Sequence, residues 1–184
     1  LEAGFNSVMF DGSQLPLEEN IARSAKVAQA ARKYGASLEG EIGSVPYTEG
    51  RDHIKRELTE PQDARAFAER SGVDAMAISV GNVHRMRNAD SEIDFELVSK
   101  INAITDLPLV IHGTTGIREA DLRRLKTMGV AKFNIGTTMR MTFARSLRTS
   151  MARHPEQFDR LSLMKPVIDD LASEARRIID LLGS

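Results

Sequence analysis

Two imidazoles stand where short apolar runs give way to turns. Leu109-Val110-Ile111-His112 leads directly into Gly113-Thr114-Thr115-Gly116, and Ala75-Met76-Ala77-Ile78-Ser79-Val80 leads into Gly81-Asn82-Val83-His84. A third run, Lys132-Phe133-Asn134-Ile135, ends in Gly136-Thr137-Thr138. Imidazole nitrogens ligate divalent metals and move protons, while Gly and Thr in a turn offer backbone N–H groups and hydroxyls to a phosphate. The 184 residues include no cysteine, so there is no thiolate site, Cys nucleophile or disulfide, and a metal would be held by His and carboxylates.

Such polar ends need strands to carry them. Strand candidates are Ser7 to Phe10, Leu38 to Ile42, Ala75 to Val80, Leu109 to His112 and Lys132 to Ile135, each followed by a helical pattern. Leu15 to Tyr34 puts Ile21, Ala25, Ala28 and Ala31 on one face and stops at Gly35. Thr59-Glu60-Pro61-Gln62 has the form of a capping box opening a helix that ends near Gly72. Further helices are expected at Asp94 to Ala103, Glu119 to Met128, Arg140 to His154 and Pro166 to Leu182. Strand and helix alternating in this way imply a parallel sheet with right-handed crossovers, and strands that each finish in polar groups resemble the catalytic face of a (β/α)8 TIM barrel. Ser44 to Glu57, polar and rich in charge, reads as an active-site loop.

Formal net charge is −1, with Lys and Arg dispersed along the chain, so neither a nucleic acid nor a membrane surface is an expected partner. No apolar run approaches a membrane span, and the expectation is a soluble, cytoplasmic protein. Complete TIM barrels need roughly 250 residues. Residues 1–184 are therefore expected to form a single partial barrel domain, belonging to a longer polypeptide or completed by strands from another chain.

The motifs together resemble the class II, zinc-dependent ketose-bisphosphate aldolases of the fructose- or tagatose-bisphosphate type. Gly4 to Ser13 with Leu15-Pro16 and Glu18 to Ile21 resembles the family's fourth strand and following helix. Leu38-Glu39-Gly40-Glu41-Ile42-Gly43 resembles the fifth strand, Val80 to His84 the sixth, Leu109 to Gly116 the seventh and Ala131 to Thr137 the eighth. The resemblance implies a TIM barrel of which this chain supplies strands 4 to 8. It also implies a Zn2+ or other divalent-metal enzyme that cleaves a phosphorylated ketose to dihydroxyacetone phosphate and an aldehyde, as a homo-oligomer.

By the same resemblance His84 and His112 are metal ligands, with Glu41 a carboxylate near the metal. Gly113, Thr115, Asn134 and Thr137 then form the donor-phosphate site, and Glu49 falls on the loop that carries a catalytic acidic residue in some members. The family's His-x-Asp-His motif, source of another ligand and of the main acid, does not occur in this chain. Arg85 stands where the family usually has Gly, Gly136 where Asp is usual, and Pro46-Tyr47 where Gly-Gly is usual. A guanidinium at Arg85 could bind a substrate phosphate, carboxylate or sulfonate. Arg85 and Gly136 favour the rival expectation, a sugar-phosphate-binding barrel that has diverged in substrate or lost catalysis. His53 and His154, and the Arg118, Arg123, Arg124 and Lys126 face, are expected to be solvated.

Overall fold

A computed structural model describes residues 1–48 and 57–183. Contacts divide it into two compact units, residues 1–134 and residues 135–184. The first unit holds a parallel five-stranded sheet in the order β1-β2-β3-β4-β5, with β1 Ser7–Phe10, β2 Ser37–Ile42, β3 Ala75–Ile78, β4 Leu109–Ile111 and β5 Val130–Phe133. Helices α1 Leu17–Lys33, α2 Pro61–Ser71, α3 Phe95–Asn102 and α4 Glu119–Lys126 make the crossovers. A 3-10 turn, Thr114–Gly116, follows β4.

Alternation along the strands separates two faces. Leu38, Met76, Ile78, Leu109 and Ile111 are almost fully buried on one face, where the unit's apolar core also holds Phe67, Val98, Ile101 and Leu125. Gly40 makes room on that face, because a Cβ there would lie 2.8 Å from Phe67 and from Val73. The opposite face carries Glu39 and Glu41 from β2, Ala75 and Ala77 from β3, Val110 from β4 and Lys132 from β5. Its central strands thus offer only small side chains below the polar groups.

One irregularity decides what that face contains. Leu109 pairs with Val130 but Val110 pairs with Lys132, so the register slips by one residue in β5. A regular ladder would set Val110 opposite Ala131 and turn Lys132 to the other face. The bulge re-aims the lysine toward Glu39.

The expected elements all form, with shifted ends. The strand expected at Lys132 to Ile135 is Val130–Phe133, and the helix expected from Arg140 begins at Thr137. The helix expected from Pro166 begins at Arg160 and contains that proline. Thr59 is not a cap: Glu60 precedes α2 with no side-chain cap bond. Thr59 is instead wholly buried, its hydroxyl donating to the Ile42 carbonyl at 2.6 Å and accepting from the Ser79 N–H at 2.8 Å, so it ties β2 to β3. Arg124 is not merely solvated, since its guanidinium lies 3.9 Å from the centre of the Phe95 ring.

In the second unit α5 Thr137–Arg153 packs on α6 Arg160–Gly183. Thr142, Ser146 and Ser150, spaced four apart, are the buried residues of α5. Ser150 donates to the Leu163 carbonyl at 2.9 Å, which ties α5 to the first turn of α6. Among the described residues no helix is long and apolar enough to cross a membrane.

Candidate active site

The polar residues gather at the C-terminal ends of β2, β3 and β4. Asn20 of α1 fixes the end of β2 by donating from Nδ2 to the Glu41 carbonyl at 2.9 Å. Asn82 joins the next two strands: its Oδ1 accepts from the Val80 N–H at 2.9 Å and its Nδ2 donates to the His112 carbonyl at 3.0 Å. A fully buried amide with these partners holds the loop carrying His84 against the end of β4.

His112 is buried between two carboxylates. Its Nε2 lies 2.8 Å from Glu39 Oε1 and its Nδ1 3.1 Å from Glu41 Oε2. Lys132 reaches across the face to the other oxygen of Glu39. Burial alone would lower the imidazole's affinity for its proton, but the hydrogen bonds to Glu39 and Glu41 outweigh it and push its pKa up to about 9. Burial pushes the Glu39 carboxyl up, and His112 and Lys132 together overcome this to hold it below the usual range. Glu41 goes the other way: burial prevails over its bond to His112 and raises it. Near neutral pH the cluster therefore holds a protonated His112 beside an ionised Glu39.

His84 faces this cluster, with ring centres of His84 and His112 5.7 Å apart. Behind it the Tyr47 ring stacks at 4.5 Å, and the chain segments are tied by the His84 N–H donating to the Pro46 carbonyl at 2.8 Å. Two imidazoles and the Glu41 carboxylate match zinc in donor type. Among the described residues, however, no three His, Asp or Glu groups are placed to hold an ion together. The His112 ring is turned onto carboxylates at both nitrogens, one of which must be released to a metal.

The turn after β4 packs closely against the loop that carries His84. Gly113 has φ +67, and a Cβ there would lie 2.4 Å from the Val83 carbonyl oxygen. Only glycine combines that left-handed conformation with so close an approach. The Thr114 hydroxyl donates to the Asn134 carbonyl at 3.0 Å, and the Asn134 N–H donates to the Ile111 carbonyl at 3.0 Å, which brings Asn134 beside the turn. Thr115 is half-buried in that turn. Thr137 belongs to the second unit, where it opens α5 and its hydroxyl accepts from Arg140 at 3.1 Å. Gly136 is the residue before that helix. Glu49 and His53 lie outside the described residues.

The structure thus brings the His84 ring near the buried His112–Glu41 pair, and the Asn134 backbone beside the turn that holds Gly113 and Thr115. Glu39, Lys132 and Tyr47 join this cluster although no sequence motif names them. The first had a signal, since Glu39 and Glu41 two apart in a strand must share a face.

The whole chain, residues 1–184, matches the family described as fructose-bisphosphate aldolase class-II. A probable fructose-bisphosphate aldolase of Bacillus subtilis (strain 168) is 36% identical over 169 residues, covering 90% of this chain and 59% of that relative. The YdjI aldolase of Escherichia coli K12 superposes with a TM-score of 0.76 at 28% identity, over 97% of this chain and 60% of its own. A putative fructose-1,6-bisphosphate aldolase of Coccidioides immitis shares the fold, with a TM-score of 0.82 at 22% identity over 96% of this chain and 62% of its own. The chain spans about three fifths of the length of these relatives. With its five parallel βα units in the family's order, it belongs to the class-II fructose-bisphosphate aldolases and corresponds to the C-terminal part of their barrel.

Proposed function

We propose that this chain carries the metal-binding and donor-phosphate side of an aldol site that cleaves a phosphorylated ketose to dihydroxyacetone phosphate and an aldehyde, and runs the reverse condensation. The observation that carries the reading is the His84 ring facing a buried His112–Glu41 pair, beside the glycine turn that follows β4. In cleavage the C3–C4 bond breaks and its electron pair passes into the C2 carbonyl as an enediolate. The C4 hydroxyl gives up its proton and becomes the aldehyde, and a proton returned to C3 completes dihydroxyacetone phosphate.

Zn2+ held by His84, His112 and Glu41 would supply Lewis acidity toward the ketone and hydroxyl oxygens. Glu39 and Lys132 position the His112 ring from behind, a carboxylate fixing the far nitrogen. Gly113 and Thr115 present a backbone N–H and a hydroxyl to the donor phosphate, and Asn134 adds an amide. Thr137 and the acid–base residue Glu49 complete this assignment from the sequence resemblance. A binding-only barrel is the second reading, favoured by the occupation of both His112 nitrogens.

The two separate in one experiment on the intact enzyme. Exchange of the C3 hydrogen of dihydroxyacetone phosphate with deuterium oxide requires the enediolate but no aldehyde. Zinc-dependent exchange that stops with a chelator and returns with zinc is the expected result; phosphate binding without exchange would leave the binding-only reading. Thr115→Val should weaken dihydroxyacetone phosphate binding about ten- to a hundredfold, since one hydrogen bond to a charged group is worth roughly 1.5 to 3 kcal/mol. Calorimetry on that variant should show zinc affinity retained, because Thr115 is not a ligand.

A further inference from the structure

Beyond β2 the chain stays tied to its neighbours as a short arm. Ser44 is buried, and its backbone pairs with Glu57 in both directions, at 2.7 and 3.1 Å. Its carbonyl also accepts from the Ser79 hydroxyl at 3.1 Å, and its hydroxyl accepts from Gln14 Nε2 at 2.5 Å. Val45, next in the chain, is buried too. From this anchor the arm runs alongside the loop after β3, where Tyr47 and His84 form a parallel bridge. The His84 N–H donates to the Pro46 carbonyl at 2.8 Å, and the Thr48 N–H donates to the His84 carbonyl at 3.2 Å. The half-buried Tyr47 ring lies 4.5 Å from the centre of the His84 ring, with 31° between the planes. Arg85, exposed and the one non-glycine residue among those described with positive φ, at +61, places its guanidinium 5.3 Å from the centre of the same tyrosine ring.

We infer that Tyr47 is a positioning residue for His84, its ring holding the imidazole in the orientation that a divalent metal uses. The role rests on the reading of His84 as a zinc ligand, and it gives a function to the Pro46-Tyr47 pair that departs from the family's usual Gly-Gly. An imidazole on a loop turns about two side-chain torsions, and a metal must fix both when it binds. A stacked aromatic ring fixes them beforehand, and a group already ordered binds more tightly because less freedom is lost on binding. The backbone of His84 cannot carry the ring away either, since the arm engages its N–H and its carbonyl together. The role needs a flat ring face, so a phenyl should serve as well as a phenol and an aliphatic side chain should not.

The test uses the intact protein and its Tyr47→Phe, Tyr47→Leu and His84→Asn variants. Zinc affinity is measured by competition with a chromophoric chelator, and the His84 ring protons of the zinc-free protein are followed by NMR, assigned by their loss in His84→Asn. Tyr47→Leu should weaken zinc binding about three- to tenfold, the worth of one aromatic pair, and Tyr47→Phe should keep the parent's affinity. The ring current of a stacked tyrosine should hold the His84 protons upfield of ordinary imidazole positions in the parent and in Tyr47→Phe, and release them in Tyr47→Leu. General loosening of the fold would not confine that change to one imidazole. Ordinary His84 positions in the parent overturn the role of Tyr47 without recourse to any Tyr47 variant. Equal zinc affinity in Tyr47→Leu and the parent overturns it as well, and so does an equal loss in Tyr47→Leu and Tyr47→Phe, which would assign the effect to the hydroxyl. Full zinc affinity in His84→Asn overturns the reading of His84 as a ligand, and this role with it.

Discussion

Zinc retention is expected to collapse when His112 is replaced by alanine. Losing a partner that merely orients a ligand costs ten- to a hundredfold in metal affinity, so losing the ligand should cost more than a hundredfold. Dialysed His112→Ala protein should then hold well under one zinc per chain, with C3 exchange at background. The variant leaves Glu39 and Glu41 facing one another in a buried site, so circular dichroism on it and on His112→Asn should accompany the metal analysis. Folded protein with full zinc content in either variant would remove His112 from the metal site. Glu39→Gln should produce the smaller, ten- to hundredfold loss, because it disturbs only the far nitrogen of the ring.

Without metal, stability is expected to fall as pH rises from about 6.5 to about 9. The folded-state pKa of His112, about 9, lies above its ordinary value of 6.5. The folded protein therefore keeps a proton that the unfolded chain releases first, and the stabilisation is fully present below pH 6.5 and gone above pH 9. The shift corresponds to roughly 3 kcal/mol across that window. Glu39, held below the usual carboxylate range, contributes in the opposite sense, and its share is lost as pH drops below its ordinary value. Zinc inverts the alkaline dependence: the metal displaces the imidazole proton, so its affinity should rise about tenfold per unit up to pH 9. Scanning calorimetry in a chelator between pH 6 and 10 checks the first part. A flat profile, or an identical slope in His112→Asn, would contradict it.

The sequence made the strand ends legible because each places its chemistry within three residues of a glycine. His84, His112 and Asn134 follow apolar runs too short for helices, and the order of those runs carries the parallel sheet. What stayed hidden depends on geometry that no local pattern encodes. Lys132 meets Glu39 across 93 residues, and only through the slip at Leu109 and Val110 that turns the lysine to the polar face. Simple alternation gives the wrong side. Thr59 reads as a helix cap from its neighbours Glu60, Pro61 and Gln62, yet the carbonyl of Ile42 and the N–H of Ser79 are better partners for a hydroxyl buried between two strands. Arg85 is visible as a departure from glycine, but its stack on Tyr47 requires the Pro46 and His84 segments to lie side by side.

Anomalous scattering at the zinc edge from zinc-soaked crystals of the intact protein locates the metal. One zinc peak is expected, with imidazole nitrogens of both His84 and His112 about 2.0 to 2.1 Å away, His112 having released one of its two carboxylate partners. A zinc-saturated protein whose metal lies elsewhere, with His112 still clamped between Glu39 and Glu41, would contradict it.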